Sequence, residues 1–246
     1  MRAIRKIRLL TVFAFFFFFA SSNSFSQEGE KTDYSKIKPL INLHPELEGT
    51  YADYIASFTE EPYTAKINDI GVKALADGTK VLVMVKASLK PNIASRLDRY
   101  INDLENNGYS PTLIEVSGGT HIDVKNTIKA NSTGLAGVVF IGSFPVAWFE
   151  MDDDFSGYAS FPCDYYYMDL NGTWADNDGD GMFDSFTAGT GDEEPEIYLG
   201  RIDASRMSAD EITLTRHYFD KLHDYYTGVL DGTNYGLSYV EDDWQN

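Results

Sequence analysis

Val81-Leu-Val-Met-Val85 is an unbroken apolar run with β-branched valines at every second position. A strand with one wet face alternates apolar with polar residues, so a short continuous run reads as a strand covered on both faces. Beyond it, Pro91 and Asn92 predict a helix start with Asn92 as the cap. Ile93, Leu97, Tyr100, Ile101 and Leu104 then define one helical face, and Gly108 sits where a C′ glycine belongs. Thr112-Leu-Ile-Glu-Val116 is the next strand. Thr120 and Asp123 form a capping pair for a shorter helix with Val124 and Ile128 turned inward.

Leu135-Ala-Gly-Val-Val-Phe-Ile141 reads as a third strand and Ile197 to Ile202 as a fourth. Ser208-Ala-Asp-Glu211 has the form of a capping box. The helix it opens carries Ile212, Thr215, Phe219, Leu222 and Tyr226 inward and runs to Gly228. Leu237 to Val240 starts another strand. Strands alternating with helices over short loops predict right-handed crossovers and a mostly parallel sheet. The expected fold is therefore a three-layer α/β domain over residues 79–246, with helices flanking the sheet. In such folds the working site lies beyond the carboxyl ends of the strands. The last predicted strand lacks a helix to cover it, so either it is an unusual edge or the sequence is the front part of a longer protein. The second is the expectation, with the domain truncated at its C-terminus.

Upstream, residues 27–78 read poorly, as a pro-segment, a linker or the edge of the following domain. Within them Tyr51, Tyr54, Ile55 and Phe58 have helical spacing. Residues 1–26 have the form of a secretory signal peptide. Arg2, Arg5, Lys6 and Arg8 precede an apolar run from Leu9 to Ala20, and Ser24-Phe-Ser26 supplies the small residues before cleavage. That run is shorter than the ~20 residues a membrane span needs, so the expected location is secreted or cell-surface, with no stable membrane span after cleavage.

The chain of 246 residues carries a formal charge of −18, and removing the four leader cations takes this to −22. Such a surface repels nucleic acid and suits cations or basic substrates. A single cysteine, Cys163, excludes an internal disulfide. From Ala130 to Gly200 there is no Lys, Arg or His, whereas 14 Asp or Glu fall between Glu150 and Glu196. That density of like charge calls for a positive partner, and the aromatic content argues against simple disorder.

Asp176-Asn-Asp178-Gly-Asp180-Gly181-Met182-Phe-Asp184 has the spacing of a calcium loop. Carboxylates at positions 1, 3 and 5 converge on one hard cation, Gly181 permits the turn, Met182 offers its carbonyl and Asp184 adds a further acid. Position 12 is Thr187 rather than Glu, so the expectation is a stand-alone Ca2+ loop, with a solvated turn as the bland alternative. Asp152, Asp153 and Asp154 either extend the site or form a hydrated acidic turn. Ser143 lacks the flanking glycines of a nucleophile elbow. Cys163 reads as a small semi-buried thiol, because none of His44, His121, His217 and His223 has support as its base.

Three segments together resemble the gingipain-type cysteine peptidases, secreted enzymes with a caspase-like α/β fold. They are Gly137-Val-Val-Phe-Ile-Gly-Ser-Phe-Pro145, Cys163-Asp-Tyr-Tyr-Tyr-Met-Asp-Leu-Asn-Gly172 and Pro195-Glu-Ile-Tyr-Leu-Gly-Arg-Ile-Asp-Ala-Ser205, within a resemblance from Lys80 to Asn246. The resemblance implies calcium binding in this region and a protein or peptide substrate. It also implies that Asp164 lines a pocket for a basic side chain, while by its residue type alone Asp164 could equally help bind the cation or cap a turn. The family's catalytic His, in a Gly-His-Gly segment, and its nucleophilic Cys follow later strands, and neither segment is present here. Cys163 stands where the family has Ser, so no catalytic residue is assigned. The expected role is the N-terminal part of an exported, calcium-stabilised cysteine peptidase. The alternative is a non-catalytic calcium-dependent binding or surface module.

Overall fold

Pairing, rather than local sequence, sets the order of the strands. The computed structural model describes residues 49–59, 61–68, 79–154, 157–189 and 194–230. All belong to one compact unit, Leu43–Asn234. The leader over residues 1–26 and the strand expected from Leu237 to Val240 lie outside the described residues. In chain order the elements are α1 (Tyr51–Ser57), β1 (Thr64–Asn68), β2 (Thr79–Lys86), α2 (Lys90–Asn106), β3 (Tyr109–Ser117), α3 (His121–Ala130), β4 (Leu135–Ile141), β5 (Trp148–Asp154), β6 (Gly157–Pro162), α4 (Tyr165–Met168), β7 (Thr173–Ala175), β8 (Ser185–Thr187), β9 (Tyr198–Ile202) and α5 (Glu211–Tyr226).

The main sheet has the order β1-β3-β2-β4-β9. β2 pairs in parallel with β3 and β4, and β4 in parallel with β9, while β1 joins the β3 edge antiparallel. The fold is thus mixed α/β, with a central, mostly parallel sheet flanked by helices. Part of the stretch before residue 79 contributes to it, since β1 is an edge strand of the sheet.

β2 alternates between two cores, as a strand buried on both faces must. Val81, Val83 and Val85 pack with Ile93, Leu97 and Ile101 of α2 and Phe219 of α5. Leu82 and Met84 pack on the other face with Val124 and Ile128 of α3, Phe140 and Tyr167. Each such side chain contributes roughly 2 kcal/mol relative to exposure. α2 and α5 are also tied by ion pairs from Arg96 and Arg99 to Asp220 and by a hydrogen bond between His223 and Asp103.

The α3 capping box forms as expected. Thr120 Oγ1 accepts from Asp123 N, and Asp123 Oδ2 accepts from Thr120 N. Two other caps differ. α2 begins at Lys90 with Leu89 as N-cap and no side-chain cap, so Asn92 lies inside the helix. Pro91 explains this, because its fixed φ suits the first turn, where its missing N–H costs nothing. α5 is capped by Asp210, which accepts from Thr213 N at 2.8 Å, instead of by Ser208. Tyr226, expected inward, is 36% exposed in the last turn of α5. Among the described residues no helix is long and apolar enough to cross a membrane.

Candidate functional site

Between β4 and β9 the chain makes a long excursion from the carboxyl end of the sheet. It holds the β5–β6 hairpin, α4 and the short β7–β8 pair. Trp174 organises this insertion. Its ring lies 4.7–5.9 Å from Phe149, Tyr165, Tyr166, Phe183 and Phe186, and Tyr166 stacks on Phe183 at 4.8 Å. Aromatic pairs at such spacing contribute about 1 kcal/mol each beyond burial. These rings continue the core on the Leu82 and Met84 face of the sheet out into the insertion.

The acidic loop from Asp176 to Asp184 lies on this core. Asp176 accepts from Gly179 N at 2.6 Å and Gly181 N at 2.9 Å, and Asp180 accepts from Met182 N at 2.8 Å. Asp184 accepts from Asn177 N at 2.9 Å, which closes the loop. Gly181 is required twice over. Its φ of +97° is left-handed, and a Cβ there would approach Tyr51 Oη to 2.1 Å. Tyr51 donates to Asp180 O at 3.3 Å, and both Tyr51 and Tyr54 pack on Trp148. α1 thus braces the acidic loop.

Oxygens of Asp176, Asp178 and Asp180 lie within 4.8 Å of one another, and so do those of Glu150, Asp178 and Asp184. Asp178 is shared by both sets. Met182 is buried beneath the loop. Glu150, which sequence spacing did not single out, comes from β5. It is buried and accepts from Tyr158 Oη at 2.7 Å. Backbone bonds from Glu150 N to Phe183 O and from Phe183 N to Trp148 O dock β5 on the loop and bring Glu150 to it. Asp152 lines the same cavity, of about 350 Å³, with Glu150, Tyr158, Asp178 and Asp184. The side chains of Asp153 and Asp154 lie outside the described residues. Among the described residues no Lys or Arg bonds to these close-set carboxylates, and such a set is the donor chemistry that a hard divalent cation takes.

Asp164 is placed differently. It sits at the N-cap position of α4 but makes no capping bond. Both its oxygens accept instead from Arg201 of β9, each at 2.7 Å. Arg201 also donates to the carbonyls of Phe144 and Pro145 and lies 5.1 Å over the Phe140 ring. Asp169 is almost fully buried. It accepts from Trp174 Nε1 at 2.6 Å and Gly172 N at 2.9 Å, with Lys125 Nζ at 3.9 Å. Lys125 is buried too, 4.1 Å over the Tyr166 ring. Its burial lowers its pKa from 10.5 to about 8, with Asp169 opposing the shift.

Cys163 lies just before α4. Burial pushes its thiol up, against backbone N–H groups of Tyr166 and Tyr165, and no histidine is among the groups acting on it. His121 packs edge-on against Tyr166 and Phe183, and burial lowers its pKa. His223 pairs with Asp103, His217 is exposed, and His44 lies outside the described residues. Lys125 and Arg201 were missed from sequence. The one available signal is that the stretch from Ala130 to Gly200 has no cation of its own, so any protein cation that meets its acids comes from outside it. No family model, curated protein or solved structure matches the chain.

Proposed function

We propose that this chain is the N-terminal part of an exported, calcium-stabilised cysteine peptidase of gingipain type, built on a caspase-like sheet. In this reading the chain supplies scaffold and substrate contact, and the catalytic thiol and imidazole come from later segments. One observation carries it. The three resembling segments, far apart in sequence, form one spatial unit. β4 pairs with β9 from Gly137 opposite Tyr198 to Ile141 opposite Ile202, and Asp164 is bound bidentately by Arg201 of that same β9.

Asp164 remains 38% exposed on its side chain, and Arg201 fixes its orientation. Its outward face is proposed to meet a basic side chain of a protein or peptide substrate, toward which the acidic surface also steers. Asp176, Asp178, Asp180 and Asp184, with the Met182 carbonyl, are proposed to hold one Ca2+ that keeps the insertion in shape. The leader is proposed to export the protein to the cell surface or beyond.

Reading the encoding gene past residue 246 tests the assignment. A continuing frame with a Gly-His-Gly segment and a later Cys is expected. A stop codon directly after Asn246 would contradict it and favour a non-catalytic calcium-dependent binding module. The chain by itself is expected to show no thiol-dependent cleavage of Arg or Lys peptides.

A further inference from the structure

A second cavity, of about 220 Å³, lies at the carboxyl ends of β2, β3 and β4, lined by Lys86, Glu61, Tyr54, Phe58, Ser143 and Phe144 among others. The connection leaving β2 runs to α2, on the face of Val81, Val83 and Val85. Those leaving β3 and β4 run to α3 and to the insertion, whose Val124, Tyr166 and Tyr167 cover the opposite face. Where neighbouring strands send their connections to opposite faces, a crevice opens between them, and open α/β sheets take ligands there.

Lys86 is the last residue of β2 and is partly buried. Burial lowers its pKa, with the charge of Glu61 opposing. Among the described residues its Nζ has neither a hydrogen bond nor an ion pair. Its directed contact is with the Phe144 ring, 5.6 Å away. Gly142 makes room for its stem, since a Cβ there would come within 3.1 Å of Lys86 Cγ. An ammonium group partly withdrawn from water without an acceptor is an incomplete pairing, and a carboxylate completes it with a charge-assisted bond.

We infer that this crevice binds a small monocarboxylate with an aromatic or apolar body, its carboxylate accepting from Lys86 and its body resting on Tyr54, Phe58 and Phe144. Lys86 is the one cation among the described lining residues, which matches a single carboxylate in charge better than a phosphate dianion. The cavity is also smaller than the ~300–1,000 Å³ of sites for drug-sized ligands, which limits the ligand to metabolite size.

Calorimetric titration of benzoate into the whole chain tests this. Saturable binding in the roughly millimolar range is expected for so small a ligand. Lys86→Met should weaken it about tenfold, and inorganic phosphate should not compete. Should that variant misfold, the unchanged chain gives a second readout. Acetylation of Lys86 by an amine-selective reagent, followed by mass spectrometry, should slow several-fold in benzoate but not in benzyl alcohol. No saturation, equal affinity in a folded Lys86→Met variant, competition by phosphate, or equal protection by benzyl alcohol would each overturn the assignment.

Discussion

The insertion between β4 and β9 handles its acids in two ways. Asp164 and Asp169 are met by protein cations that reach in from outside the insertion, Arg201 from β9 and Lys125 from α3. Among the described residues the bonded partners of Glu150, Asp176, Asp178, Asp180 and Asp184 are backbone N–H groups, Asn177 and Tyr158. Two unit charges 4.8 Å apart repel by about 1 kcal/mol even at the dielectric of water. Each of the first pair already has a cation within the chain. The second set crowds like charge around Asp178, and this is the charge that the proposed Ca2+ would neutralise.

The comparison predicts its largest effect at Arg201. Arg201→Met strips both oxygens of Asp164 and two carbonyls of their donor, so urea unfolding should show a loss of about 2–3 kcal/mol. Calcium should not restore it, and a loss under about 0.5 kcal/mol would erase the distinction between the two acid sets. Next comes Asp178→Asn, whose effect should change sign. With calcium in hundredfold excess over its dissociation constant the variant forfeits about 2–3 kcal/mol of linkage. In chelator it should instead gain about 1 kcal/mol, because one repelling charge is gone. Destabilisation of equal size in both conditions would reduce Asp178 to a turn residue.

Lys125 gives a smaller effect through pH. Its folded pKa, about 8, lies below its ordinary 10.5, so between these values the unfolded chain holds a proton that the folded chain has released. The cost of burying this ammonium is therefore fully present below pH 8 and is relieved as pH rises toward 10.5. Comparing wild type with Lys125→Met at pH 7.5 and 9.5 should show wild type gaining on the variant. A constant difference would place the lysine in water. Cys163→Ala should be the mildest change, under about 1 kcal/mol, with the calcium dependence of melting intact.

Elements fixed by local pattern were legible. β2 and β4 are apolar runs, α2 carries its five inward residues as spaced, and the α3 capping box is complete. Elements fixed by distant partners were not. β1 is exposed along four of its five residues, so it has no core-facing alternation to read, and its pairing with β3 places it. Lys125 follows Val124 on α3 and would ordinarily point to solvent. It is buried because the insertion folds Tyr166 and Asp169 over it. The Asp176–Asp184 spacing was visible locally, whereas Glu150 reaches the cluster only through the bonds between β5 and Phe183.

Calorimetric titration of calcium into chelator-stripped chain bears most directly on the unmatched acids. At least one saturable site per chain is expected, with its heat lost in Asp178→Asn and the melting temperature rising as the site fills. A flat titration, together with a melting curve that excess chelator leaves where it was, would mean that these carboxylates need no ion.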